Sequence, residues 1–424
     1  MPKPFTILLG KAVRQAARLK GGSGSALPGL FVEKIDPKFV PDTLSKLPLG
    51  VVVISGTNGK TTTTKMVVSL LEGQGLKVFT NKTGSNFVRG VAAALLSDIS
   101  ITGKINADIA VLELDEAHAV KFVDVIKPKY SLLLNVLRDQ LDRFGEIDTT
   151  RQMLEVVAKN TTDTVVLNSA DPRIYSIAKD VKDANVNFFG LNKSLQKLFP
   201  SDDLLHAKDT VDAGADDKTK NTVSLESIDG DKATYIINGK NHSTNLKLTG
   251  AYNIFNSAAA LALAATVLPD ADEKKLIKSL SEITPAFGRG EVVDINGTPL
   301  EMALVKNPSG FRLALSSYPP GGYATMIAIN DNYADGRDMS WLWDVDFDSL
   351  KGKDVYTTGI RANDMALRLH YDGISVKDNS TELKQSVERF IRENPNTPKR
   401  IYCTYTAMLS IRKILSSYTE VEEI

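Results

Sequence analysis

The chain contains a single cysteine, Cys403, in 424 residues. An intrachain disulfide and any cysteine-based zinc site are thereby excluded, and the neighbours Ile401, Tyr402 and Tyr405 mark the residue as a buried structural thiol. Charge of one sign is missing too, since Lys+Arg and Asp+Glu both number 51. Nothing in the bulk charge favours a nucleic acid, so an anionic ligand has to be held by local geometry. No segment offers the run of about 20 apolar residues that a membrane-spanning helix needs, and the apolar stretches are strand-sized. A composition that is 42% hydrophobic suits a soluble globular protein with core enough for two or three domains. At the start of the chain, Lys3, Lys11, Arg14, Arg18 and Lys20 surround Phe5, Ile7, Leu8, Leu9, Val13 and Leu19 without a signal-peptide cleavage region. This basic amphipathic pattern predicts a helix packed on the body, with contact to a membrane surface as the competing reading.

What is present is most informative between Val51 and Glu72. An apolar strand, Val51 to Ile54, enters the loop Gly56-Thr57-Asn58-Gly59-Lys60-Thr61-Thr62, and a helical pattern follows. Gly56 and Gly59 let the backbone curl so that its N–H groups face inward, and the helix N-terminus adds partial positive charge. Such a loop holds nucleotide phosphates, with Lys60 on the outer phosphates and Thr61 on magnesium. The spacing is two residues shorter than in the commonest phosphate loop, GxxxxGK[ST].

Strand-like runs at Val51–Ile54, Ile109–Leu114, Tyr130–Asn135, Thr164–Leu167 and Val186–Phe189 alternate with helical ones, which predicts a parallel sheet wrapped by helices. Between Ser201 and Asn245 the chain turns polar, with short alternating strands such as Ala233–Ile237, read as an antiparallel excursion. A smaller α/β unit is expected from near Gly288. The organisation expected is a lead-in over residues 1–45, an ATP-binding domain over 46–286 interrupted by the 201–245 insertion, and a Rossmann-like α/β domain over 287–424.

Open α/β sheets bind ligands beyond the carboxyl ends of their strands, and several polar clusters fall there. Glu113 ends an apolar strand, the position from which a carboxylate reaches a magnesium ion held by Thr61. Glu116 and His118 follow, the histidine without a defined role. Arg138, Asp139 and Asp142 form ion pairs or line the substrate side. Asn253 and Asn256, at i and i+3 before an alanine-rich helix, share one helix face. Their carboxamides suit an adenine edge, while Asn253 also fits a helix N-cap.

These motifs, GTNGKTT, the Glu113 strand end, NVLRDQLDRFGE, NSADP at Asn168–Pro172, GAYNIFNSAAA and FGRGE at Phe287–Glu291, resemble in order those of Mur ligases. Within that family the chain is similar to the MurT-type subunits of lipid II isoglutaminyl synthase. The similarity lies in NKTGSNFVRG at Asn81–Gly90, LVKNPSGF at Leu304–Phe311, NDNYADGRDMSWLWDVDF at Asn330–Phe347 and GIRANDMALRL at Gly359–Leu369. The resemblance implies that Gly56 to Thr62 hold ATP phosphates, Thr61 and Glu113 bind Mg2+, Asn86 and Asn256 approach adenine, and Arg289 reaches the phosphates. It implies amidation of the D-glutamate α-carboxylate of the lipid II stem peptide through an acyl phosphate, in the cytoplasm at the inner membrane face. Ammonia would come from a GatD-like class I glutaminase, whose catalytic histidine a MurT aspartate is thought to orient, here Asp338 first and Asp335 second. Trp341 and Trp343 are expected in the core.

Two departures stand out. Gln140 and Leu154, or a near neighbour, occupy the places where Mur ligases carry a histidine and a carbamylated lysine for a second magnesium. The four-cysteine zinc ribbon of many MurT-type chains has no counterpart, so no zinc is expected. A stand-alone amino-acid ligase and a non-catalytic ATP-binding scaffold are the alternatives.

Overall fold

Strands that are buried on both faces read as continuous apolar runs, and in the computed structural model β1 (Val51–Ser55), β3 (Ile109–Glu113), β4 (Tyr130–Leu133) and β5 (Thr164–Asn168) are buried at every position. The structure describes residues 4–19, 27–81, 88–137, 147–199, 220–248, 250–284, 289–317 and 321–419. The chain divides into two compact units, one built from residues 1–136, 148–248 and 252–284, the other from 285–424 with the short stretches 137–147 and 249–251.

The first unit is organised by a nine-stranded sheet in the order β2-β3-β1-β4-β5-β6-β7-β8-β9, with β2 at Val78–Thr80, β6 at Asn185–Leu191, β7 at Val223–Asp229, β8 at Lys232–Ile237 and β9 at Lys240–Asn245. Pairing is parallel from β2 through β7 and antiparallel for β8 and β9. Of the polar segment expected as an antiparallel excursion, residues 201–219 lie outside the described residues, and the rest forms strands that extend the main sheet. Its inward positions, Val223, Leu225, Ala233, Tyr235 and Ile237, join the core, while the alternate positions face water.

The helix Ala251–Val267 lies in that core, with Ala258, Ala259, Ala260, Ala262 and Ala264 fully buried. Small side chains let a helix come close, and Ser257 satisfies its hydroxyl there by bonding the Tyr235 hydroxyl at 2.6 Å. Each large apolar side chain that such packing removes from water contributes about 1.5–3 kcal/mol.

The amino-terminal helices α1 (Pro4–Leu19) and α2 (Leu27–Ile35) pack with one another and with α5 (Val88–Asp98), the fifth helix in the chain, after α3 (Phe39–Leu44) and α4 (Lys60–Gly73).

The second unit holds a six-stranded sheet ordered β10-β11-β15-β12-β13-β14, from β10 (Arg289–Ile295), β11 (Thr298–Leu304), β12 (Ala324–Ala328), β13 (Asp354–Thr358), β14 (Ser375–Ser380) and β15 (Lys399–Cys403). Only the β10–β11 pairing is antiparallel. The order reverses between β12 and β15, and Cys403 is buried beneath that point.

One expectation fails here. Trp341 is buried, but Trp343 is 49% exposed, because the segment Ser340–Asp344 is a 3₁₀ turn that sends the two rings to different sides. Trp343 lies edge-on to Tyr371 and under the Arg368 guanidinium.

Candidate functional site

The loop between β1 and α4 is shaped by its glycines. Gly56 (φ +132°) and Gly59 (φ +88°) take backbone conformations that side chains disfavour, and a Cβ on Gly59 would stand 2.6 Å from the Asn256 Nδ2. Asn256 is buried against the loop, its carboxamide filling the space a side chain at residue 59 would need. Asn253, expected at an adenine edge with a helix N-cap as the competing reading, lies inside the first turn of the helix, which begins at Ala251, and so is not its cap.

Lys60 is buried and curls back over the loop, its Nζ donating to the Gly56 carbonyl at 2.5 Å and the Thr57 carbonyl at 3.3 Å. Glu116 Oε2 stands 3.5 Å away, in the first turn of α6 (Glu116–Val123). Beside the lysine, the exposed Thr61 donates its hydroxyl to Glu113 Oε1 at 2.8 Å. A threonine hydroxyl and a carboxylate oxygen are hard donors of the kind that magnesium takes, with phosphate and water completing its shell. The residues present thus fit Mg2+, although no group of three or more His, Cys, Asp or Glu placed to hold a metal ion by themselves occurs among the described residues.

A second layer holds these groups in place. The Asn81 carboxamide continues the β2–β3 pairing, donating to the Glu113 carbonyl at 2.8 Å and accepting the Glu113 N–H at 3.0 Å. Asn135, at the end of β4, accepts the Asn58 N–H at 2.8 Å and donates to the Asn58 carbonyl at 3.0 Å. Asp171 accepts three backbone N–H groups, from Val136, Arg173 and Ile174, at 2.8–3.0 Å. Burial pushes its carboxyl up from 3.8 to about 6, against the pull of those amides. His118 turns its ring to Asp115, which caps α6.

The structure thus gathers Gly56–Thr62, Glu113 and Asn256 at one end of the first sheet. Asn86, Arg138, Asp139, Gln140 and Asp142 lie outside the described residues, and Arg289 opens β10 with its side chain likewise outside them. Leu154 is fully buried in the helix Ile147–Lys159, an apolar contact with no donor for a metal. Asn81, Asn135 and Asp171 stand in the motifs quoted above but were given no role in the site, because neither a carboxamide nor a cap shows in sequence which distant backbone it will meet.

The second unit has its own polar cluster where β12 and β15 end. Asp335 is buried and accepts from the Thr406 N–H at 2.7 Å, the Thr406 hydroxyl at 2.5 Å and the Asn332 N–H at 3.1 Å. Burial raises its carboxyl above the usual range. Asn330 donates to Thr406 and accepts from the Ile360 N–H. Asp338, partly exposed, accepts the Ser340 N–H at 2.9 Å.

A parallel sheet with a GxxGKT loop, a carboxylate beside the loop threonine and a second, smaller α/β unit define a Mur-type ligase. Solved structures share this fold: MurF from Acinetobacter baumannii superposes with a TM-score of 0.70 at 17% identity over 92% of this chain and 80% of that one. MurF from Thermotoga maritima in complex with ADP gives 0.68 at 16% identity, covering 91% of this chain and 83% of that one. The Mur ligase middle domain family matches residues 54–264 and the MurT ligase C-terminal family residues 304–408. The Lipid II isoglutaminyl synthase (glutamine-hydrolyzing) subunit MurT of Streptococcus pneumoniae is 32% identical over 93% of both chains. Its Staphylococcus aureus counterpart is 29% identical over 87% of this chain and 88% of its own. The chain belongs to the MurT family of Mur ligases and is an ATP-dependent ligase.

Proposed function

We propose that this chain is the synthetase subunit that amidates the α-carboxylate of D-glutamate in the lipid II stem peptide, using ammonia released by a GatD-like class I glutaminase. The observation that carries the reading is the similarity to MurT of Streptococcus pneumoniae along 93% of both chains. The phosphate-loop site supports it, with Lys60, Thr61 and Glu113 all in place. Residues 46–286 would carry nucleotide chemistry and 287–424 the second α/β domain, after a lead-in over 1–45. The enzyme would work in the cytoplasm at the inner face of the membrane, where its lipid-linked substrate is made.

In this reading a carboxylate oxygen attacks the γ-phosphorus of ATP, the bond to ADP breaks, and an acyl phosphate results. Ammonia then adds through its nitrogen lone pair to the acyl carbon, the bond to phosphate breaks, and the proton that nitrogen sheds leaves with the phosphate as hydrogen phosphate. Lys60 leaves its carbonyl partners to meet the outer phosphates, where its charge offsets the negative charge of the transferring group. Loop N–H groups would cradle the phosphates, Asn256 braces the loop, and Thr61 and Glu113 would hold magnesium, which when bound would supply further charge neutralisation. Asp338 is the aspartate proposed to orient the partner's catalytic histidine, since Asp335 is engaged by Thr406 and Asn332.

The test is amidation of lipid II with ATP and magnesium, supplied with ammonium chloride or with glutamine plus the co-expressed glutaminase. Product with ammonium alone, and with glutamine only when the partner is present, is expected; no product in either arm despite ATP binding overturns the reading. In the complex, Asp338→Asn abolishes glutamine hydrolysis while leaving ammonium-driven amidation, and unaltered hydrolysis removes Asp338 from that role.

A further inference from the structure

The outer face of the amino-terminal helices does not look like the outer face of a helix that merely packs on a body. α1 turns Ile7, Thr6 and Gly10 inward, and Gly10 sits so close to Val32 and Leu96 that a Cβ would overlap both. Thr6 bonds Asp36 at 3.4 Å and Lys11 bonds the Ile99 carbonyl at 2.6 Å, so the helix is tied at several levels to α2 and the end of α5. Its outward stripe should then be polar. Instead Phe5 is 70% exposed and Leu8, one turn on, 52%. The contacts Thr6–Asp36 and Gly10–Val32 run α1 antiparallel to α2, which sets Ile35, 43% exposed, level with the stretch between Phe5 and Leu8, and Phe31, 48% exposed, about a turn further along. Ile101, just beyond α5, is 57% exposed.

Cations border this apolar face. Lys34, Lys38 and Lys104 are exposed, against one exposed acid on these elements, Asp98. Glu33 is paired with Arg89, and Asp36 is buried. In sequence, Lys3, Lys11, Arg14, Arg18 and Lys20 all precede the first acidic residue, Glu33, in a chain whose total charge is balanced. Apolar side chains flanked by lysine and arginine are what an anionic bilayer surface accepts: the rings and aliphatic chains enter the headgroup boundary and the cations meet lipid phosphates.

We propose that the face formed by α1, α2 and the Ile101 turn docks the protein on an anionic phospholipid bilayer. The surface is read from its own chemistry; its use in bringing the enzyme to a lipid-linked substrate rests on the function proposed above. The experiment is co-sedimentation of the full chain with vesicles of phosphatidylcholine alone or mixed with phosphatidylglycerol, containing no lipid II, beside a Phe5→Ser/Leu8→Ser variant. Both substitutions fall on exposed positions, so an unchanged thermal midpoint and ATP affinity certify the variant's fold. The chain is expected to sediment with phosphatidylglycerol vesicles and not with phosphatidylcholine alone, with binding weakened at high salt and about tenfold in the variant. Absence of sedimentation, or equal sedimentation of the variant, overturns the proposal. A concentration-dependent dimer that the variant abolishes, without vesicle binding, gives the face to a second copy and also overturns it. Amidation of detergent-dispersed lipid II is measured separately: its failure with vesicle binding intact strikes the substrate reading and leaves the docking face standing.

Discussion

Both sheets present polar clusters at the carboxyl ends of their central strands, but the clusters are built differently. In the first unit Lys60 and Thr61 lean on carbonyls and carboxylates that a nucleotide and its metal can replace. In the second, Asp335 lies buried and takes two bonds from Thr406 and one from Asn332, all internal. Exchangeable contacts mark a place for a ligand, whereas a buried carboxylate fully engaged by its own chain fixes a turn. Position at the end of a sheet is therefore a weak signal, and the partners of each group decide.

The largest effect is expected for Lys60→Ala. ATP turnover is expected to fall about 1,000-fold, the scale of losing a transition-state charge partner, with little change in thermal midpoint. If turnover survives, the first cluster is not the phosphate site.

Asp171 probes whether the first cluster also has structural carboxylates. Its carboxyl titrates near 3.8 when unfolded and at about 6 when folded. The folded state thus keeps a proton the unfolded chain has lost, so stability is highest below this window and falls as pH rises through it, by on the order of 3 kcal/mol. Denaturant midpoints at the two ends of the window measure the slope, and Asp171→Asn is expected to flatten it.

Asp335→Ala should invert the Lys60 result. Loss of its buried bonds costs about 2 kcal/mol of stability, visible as a lowered thermal midpoint, while ATP affinity stays put. A fall in ATP affinity without loss of stability would erase the distinction between the clusters. The smallest effect is expected for Asn135→Ala, which frees Asn58 on both sides and raises the KM for ATP about tenfold through a less ordered loop.

How much of this was legible in sequence follows from distance along the chain. The phosphate loop is local, an apolar strand, two glycines, a lysine and a threonine in order, and the alternation of strands and helices carried the α/β class. Glu113 could be placed because it ends a run of apolar residues. Asn81 and Asn135 could not, because each acts on a backbone more than thirty residues away, Glu113 and Asn58, and the pairing exists only once the sheet has formed. Trp343 was misplaced because residues two apart share a face in a strand but not in a 3₁₀ turn. The short antiparallel strands expected in the polar segment are there over 223–245, but their place in the main sheet was not legible, because their polarity hides a one-sided edge whose inward half completes the core.

The contact between Gly59 and Asn256 carries a last consequence. The carboxamide fills the space a side chain at residue 59 would need, and it rides on a helix seated among buried alanines. Loop shape and helix seating are therefore linked, and a methyl group added along that alanine seam would press through Asn256 on the Gly59 turn. The alanine seam thus works as the loop's alignment rail.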